Sequence, residues 1–204
     1  METNIHRQVS LPPWQRLYLF PLLLVVCGLA GCGDWYIKFS TPDIPPAPCP
    51  IQDLLLDVSV FPGDDWQETG SRSERAAPVR MGIEKIGTSF SGPVEGAFHE
   101  AYRLESDRKA SNAYKDSVES WFTPAEHETE WKTPIGLDNL AVNAEKYRVA
   151  CNDLKSDGHE QCQYVAQYGP YVIRFFAGMR GLSYEDFIEL VKEIDQRATN
   201  CLEQ

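Results

Sequence analysis

The residues of this chain that could do chemistry are few and scattered. Glu126-His127-Glu128-Thr129-Glu130 sets an imidazole among three carboxylates, donor types that bind divalent metals or move protons near neutral pH. The group lies in a polar segment between Pro124 and Pro134, with no apolar neighbours to bury it, and reads as a solvated charge run. His99 and Glu100 are adjacent in an apparent strand, so they point to opposite faces and cannot form one site. His99 instead shares a face with Ala97 and Ala101, small residues that leave room for a helix or a ligand. His159 and Glu160 fall in a polar loop, and Ser183 lacks triad partners and fits better as a helix cap. Gly87-Thr88-Ser89-Phe90-Ser91-Gly92 does not have the spacing of a nucleophile elbow, and no Gly-rich phosphate loop is present. No catalytic residue is assigned, and no metal or cofactor is expected.

The cysteines carry more information. Beyond the N-terminal region four remain, Cys49, Cys151, Cys162 and Cys201. They lack the close C-x₂₋₄-C spacing of zinc sites, and an even number in an exported chain points to disulfides. Tyr147, Val149 and Cys151 alternate on one face of a strand; Cys162, Tyr164, Ala166 and Tyr168 do so on another. The polar loop between them, with its Asp157-Gly158, turns one strand onto the other. Cys151 then faces Cys162, which leaves Cys49 to pair with Cys201.

The elements that must position these residues follow from periodicity. Phe187, Leu190, Val191, Ile194, Ala198, Cys201 and Leu202 recur at helical spacing, and Ser183 with Asp186 forms a capping box at the start of that helix. A second helix is predicted from Asp107 to Phe122, with Ala110, Ala113, Tyr114, Val118, Trp121 and Phe122 inward. Residues 80–90 and 96–105 read as a hairpin, and residues 144–151, 162–168 and 171–179 as further strands, with a weak one at 129–133. A short helix at Ile51 to Leu56 precedes them. Strands then a helix, twice over, predict an α+β domain: a central antiparallel sheet with packed helices, a C-terminal amphipathic helix among them, and two disulfides. The element order weakly resembles the PsbP and Mog1-like fold. That resemblance implies a noncatalytic accessory protein, some members of the fold being attached to membrane photosynthetic complexes.

Ahead of the domain, an apolar run from Leu17 to Gly28 follows Arg7 and Arg16 and is interrupted by Pro21. It is shorter than the roughly 20 residues a spanning helix needs and has the layout of a secretory signal. Leu29-Ala30-Gly31-Cys32 resembles the lipobox of bacterial lipoproteins. Cys27 does not fit it, because Val26 stands where a small residue is required. The resemblance implies cleavage before Cys32 and diacylglycerol on its sulfur, with 1–31 a signal peptide. Residues 32–50 would be a lipidated N-terminus and stalk. The prolines of Thr41 to Pro50 favour an extended segment of about 30 Å. Trp35, Tyr36, Ile37 and Phe39 suit either the lipid interface or an extra strand. Residues 51–204 then form one domain, held to the membrane by lipid and facing the periplasm or the cell exterior.

The full chain has 204 residues and a formal net charge of −11. An acidic balance disfavours nucleic acid, whose affinity comes from Lys and Arg neutralising phosphates. It also argues against a second, electrostatic attachment to anionic lipid. The aromatic run at Tyr164, Tyr168 and Tyr171 is a candidate interaction patch, since such residues favour interfaces. Two functions are carried forward. One is a noncatalytic interaction or accessory subunit of a membrane or envelope complex. The other is a small-molecule-binding protein or enzyme with a pocket between sheet and helix.

Overall fold

The computed structural model describes residues 46–74, 82–138, 140, 142–156 and 158–204, with backbone alone at 71–74. The segment expected to be a signal peptide, Cys32 and most of the proline-rich stretch lie outside them. Six strands form one antiparallel sheet: β1 Gln67–Glu74, β2 Glu84–Ser91, β3 Gly96–Arg103, β4 Lys146–Asp153, β5 Glu160–Tyr168 and β6 Tyr171–Gly178. Their spatial order is β1-β2-β3-β6-β5-β4. Helix α1, Asp107–Trp121, follows the first three strands, and α2, Tyr184–Leu202, follows the last three. The α+β architecture expected from the sequence is the one observed. No described helix is long and apolar enough to cross a membrane.

Each helix covers one face of the sheet. α2 starts at Ser183, whose hydroxyl accepts from Asp186 N at 3.1 Å while the Asp186 carboxylate accepts from Ser183 N at 2.9 Å. Its stripe, Phe187, Leu190, Val191, Ile194, Ala198 and Cys201, is buried against the larger core. That core takes the inward residues of every strand from β2 to β6, and it is closed by a 3₁₀ turn at Ile51–Leu54 and by Leu55, Leu56 and Phe61. On the opposite face a smaller cluster, Tyr102, Leu104, Ala150, Val165 and Val172, meets α1. α1 is capped by Ser106, which accepts from Lys109 N. Only Ala110 and Ser117 of α1 are fully buried; Ala113, Tyr114, Val118 and Trp121 are partly so.

Cys151 and Cys162 are direct partners in the β4–β5 register and are disulfide-bonded; Cys49 is bonded to Cys201, joining the chain's entry to the last turn of α2. β5 and β6 are joined by Gly169-Pro170, with Gly169 at φ 51°, a conformation that favours glycine.

Two expectations need correction, and one strand was not foreseen. Tyr164, Tyr168 and Tyr171 form no surface patch: their exposures are 0, 1 and 0 %. They lie on the face that α2 and the 51–61 segment cover, and their hydroxyls are satisfied inside. Tyr164 and Tyr168 bond each other at 2.9 Å, Tyr168 donates to Asp195 at 2.9 Å, and Tyr171 donates to Cys49 O at 3.3 Å. The weak strand at 129–133 is only two isolated bridges, Glu128 to Leu154 and Lys132 to Cys151, where a loop covers the β4 edge. β1 was not anticipated at all. It is a polar edge strand with a bulge between Glu68 and Gly70, paired by its backbone to β2, and its residues 67–70 are exposed.

Candidate functional site

The residues singled out for chemistry do not come together. Glu126, His127 and Glu130 are exposed. Glu128 is half-buried and accepts from Ala125 N and Gln161 Nε2, both at 2.9 Å, so it organises its own turn. His159 sits against Glu95 at 3.4 Å, and Ser183 is consumed by the cap. Among the described residues, Cys151, Glu160 and Cys162 are the one grouping of metal-ligand types, and its two sulfurs are bonded to each other.

His99 does face Ala97 and Ala101, as expected, and what approaches through that gap is the segment after the 3₁₀ turn. Leu56 N donates to His99 Nδ1 at 3.1 Å, and the ring stands edge-on to Phe175. Nδ1 therefore accepts, the proton lies on Nε2, and Nε2 has no partner among the described residues. Burial, and secondarily the Arg197 charge, pull its pKa down to about 3. His99 is a neutral core residue lining neither of the cavities described below.

The opposite face holds the arrangement that sequence reading missed. Glu100 and Arg174 are direct cross-strand partners between β3 and β6, and Lys85 and Tyr102 are partners between β2 and β3. Alternation places all four side chains on the α1 side. Lys85 Nζ lies 2.6 Å from Glu100 Oε1, and Arg174 Nη1 lies 3.3 Å from Oε2. Tyr102 donates to Oε2 at 2.6 Å and accepts from Arg174 Nη1 at 2.9 Å. Burial is the largest single influence on Lys85 and lowers its affinity for the proton, but the hydrogen bond to Glu100 and the Tyr102 and Glu100 charges together outweigh it, and its pKa ends raised. Burial also raises Tyr102, against the pull of Arg174, so the phenol stays protonated as a donor.

Arg174 is 7 % exposed. Its guanidinium carbon lies 3.9 Å from the centre of the Trp121 ring, so α1's last residue forms its roof. Among the described residues both of its hydrogen bonds leave from Nη1, and its buried Nε has no acceptor. A cavity of about 610 Å³ opens onto it, lined also by Ala113, Asp116, Ser117, Glu119, Ser120 and Thr123. A second, of about 350 Å³, shares Ser120 and Thr123 with the first. Phe98, Phe176 and Gln163 line it from the sheet and Trp121 from the helix. Neither lining contains a histidine or a cysteine. Ser120 Oγ donates to Ser117 O and Thr123 Oγ1 to Glu119 O, so both are tied to the helix backbone. The pair of cavities can hold a polar ligand. The one signal for it in the sequence was an arginine inside the apolar run Tyr171-Val172-Ile173-Arg174-Phe175-Phe176.

No family profile and no curated protein sequence matches this chain. Among solved structures it is similar to the extracellular domain of PknH from Mycobacterium tuberculosis, with 10% sequence identity and a TM-score of 0.53 over 73% of this chain and 95% of that one. At that identity the likeness is one of fold: the six-stranded sheet and its helices are an architecture already known from an extracellular domain.

Proposed function

We propose that the chain is a lipid-tethered extracytoplasmic binding protein that serves a membrane or envelope complex without catalysing a reaction, and that the α1 groove is its recognition site. The observation that carries this reading is Arg174, a buried cation that lines the groove and whose hydrogen bonds among the described residues leave from Nη1 alone. Two disulfides fit an oxidising compartment, as does a fold shared with an extracellular domain. The Leu29-to-Cys32 motif supplies the anchor. The Ser120 and Thr123 hydroxyls shared by the two linings are tied to the helix backbone, which favours capture over turnover.

Two measurements test the reading. Labelled palmitate should enter the wild type and not Cys32→Ser; an unmodified Cys32 in mature wild-type protein refutes the tether. Ser120 lines both cavities, and Ser120→Trp fills space in them. It should abolish cross-linking to neighbours in native membranes when a photoreactive residue is placed at Thr123. Unchanged cross-links refute the groove as the recognition site.

A further inference from the structure

We infer that the groove takes a small zwitterion, an α-amino acid with an apolar side chain. This rests on the groove being the recognition site. Three features of the linings, each independent of the others, define the ligand.

The first is charge at the base. Glu100 carries one negative charge, and Lys85 at 2.6 Å claims it more closely than Arg174 at 3.3 Å. The Lys85–Arg174–Glu100 cluster therefore holds one positive charge in excess, and the Arg174 end of it opens on the groove. A guanidinium is a fixed, permanently charged group that attracts a carboxylate, and Arg174 lines the groove while its Nη1 is committed to Glu100 and Tyr102. Trp121 packed on one face of the guanidinium and the Nη1 bonds on one edge hold it in place before any ligand arrives.

The second is charge on the wall. Asp116 and Glu119 line the same cavity from α1, three residues apart on one side of the helix and exposed to solvent. An anion without a compensating positive group would meet these two carboxylates on its way to Arg174. A ligand carrying an ammonium beside its carboxylate satisfies both ends at once.

The third is the adjoining cavity. Phe98 and Phe176 are cross-strand partners, both half-buried, and Trp121 closes the side. Its volume of about 350 Å³ adjoins the charged compartment, Ser120 and Thr123 lining both, and it suits an aromatic or branched aliphatic side chain. The proposed ligand spans the two cavities: carboxylate on Arg174, ammonium toward Asp116 and Glu119, and apolar body over Phe98 and Phe176.

The test is a calorimetric titration of the full extracytoplasmic domain with three probes: L-phenylalanine, 3-phenylpropionate and phenethylamine. These share the ring and differ only in charge. Phenylalanine should bind at least ten-fold more tightly than either analogue, and Ser120→Trp should abolish its binding. In Asp116→Asn/Glu119→Gln, two exposed changes that leave the core intact, phenylalanine should lose its advantage over 3-phenylpropionate. Amide spectra should show the wild-type shifts centred on α1, β3, β6 and the Gln163 position of β5. Equal or tighter binding of either analogue, or no binding of phenylalanine, overturns the zwitterion. A groove that still loses its membrane cross-links in Ser120→Trp would then remain a recognition site for another ligand, so the two readings fail separately.

Discussion

Lowering the pH should unfold this domain through one residue more than any other. His99 is fully buried, accepts from Leu56 N, and has only Phe175 and the core around it. The nearest charge on a packed element is Arg197 of α2, whose Nη1 donates to Leu55 O at 2.6 Å. Protonation would bury a cation beside a cation, and it would replace the Nδ1 lone pair with a second donor facing the Leu56 N–H. Burial first, and Arg197 second, place the folded pKa at about 3 against 6.5 for the free side chain. The folded pKa is depressed, so the unfolded chain takes up the proton first as pH falls. The stability due to the neutral ring is complete above pH 6.5 and is lost as pH falls from there toward 3.

Linkage converts this to magnitude. One pKa unit is about 1.4 kcal/mol, so the loss is about 2 kcal/mol between pH 7 and pH 5 and approaches about 5 kcal/mol below pH 3. For a domain whose whole stability is on the order of 5–15 kcal/mol, that is enough to bring acid unfolding into view. Urea unfolding of the wild type and of His99→Asn at pH 7, 6 and 5, with disulfides intact, isolates the effect. Asparagine keeps an acceptor near the Nδ1 position and does not titrate. The variant should be less stable at pH 7, because it leaves a void beside Phe175. The gap should close by about 2 kcal/mol by pH 5, while His127, His159 and the carboxylates cancel between the two proteins. A gap that stays constant from pH 7 to pH 5 refutes the buried neutral imidazole.

The two disulfides should differ in weight. Cys49–Cys201 spans 152 residues and Cys151–Cys162 only 11, and the chain-entropy model gives about 5 and about 3 kcal/mol. Replacing the first pair by alanine should therefore cost about 2 kcal/mol more than replacing the second, as read from urea midpoints. Glu100→Gln should destabilise the domain by about 3 kcal/mol, because Arg174 keeps its charge in a site that is 7 % exposed. Adding Arg174→Met should recover part of that loss, and a double-mutant cycle with no coupling would contradict the pairing.

How much of this was readable beforehand depends on the range of the interaction. The capping box at Ser183 and Asp186, the α2 stripe and the Cys151–Cys162 pairing are set by residues within a few turns or one hairpin of each other, and all were legible. β1 was not, because Gln67–Glu74 has no apolar alternation and exists only through its partner β2. The aromatic run misled for a related reason. Counting Tyr164, Tyr168 and Tyr171 says nothing of what covers them, and α2 together with the 51–61 segment covers them fully. The groove was hidden because its key pair, Glu100 and Arg174, lies 74 positions apart. Only the β3–β6 register brings them together. The opposite orientation of His99 and Glu100 was foreseen, but not that the second of the two would matter.

That division between faces leads to a difference in local stability. On the α2 side the core is apolar, His99 is neutral, and Cys49–Cys201 ties the last helical turn to the start of the domain. α2 buries Phe187, Leu190, Val191 and Ile194 completely, each contributing about 1.5–3 kcal/mol. On the other side, neither disulfide reaches α1, and its two fully buried side chains are Ala110 and Ser117. Its hold comes from partial burial of Tyr114, Val118 and Trp121 and from the packing of Trp121 on Arg174. α1 should therefore open at several kcal/mol less than the whole domain, carrying one wall of the groove with it. Native-state hydrogen exchange should show α1 amides exchanging at least 100-fold faster than those of the central turns of α2, and a ligand in the groove should slow the first without changing the second. Equal protection of the two helices would mean that the polar face is as firmly closed as the apolar one, and that Trp121 and Arg174 hold α1 as tightly as the core holds α2.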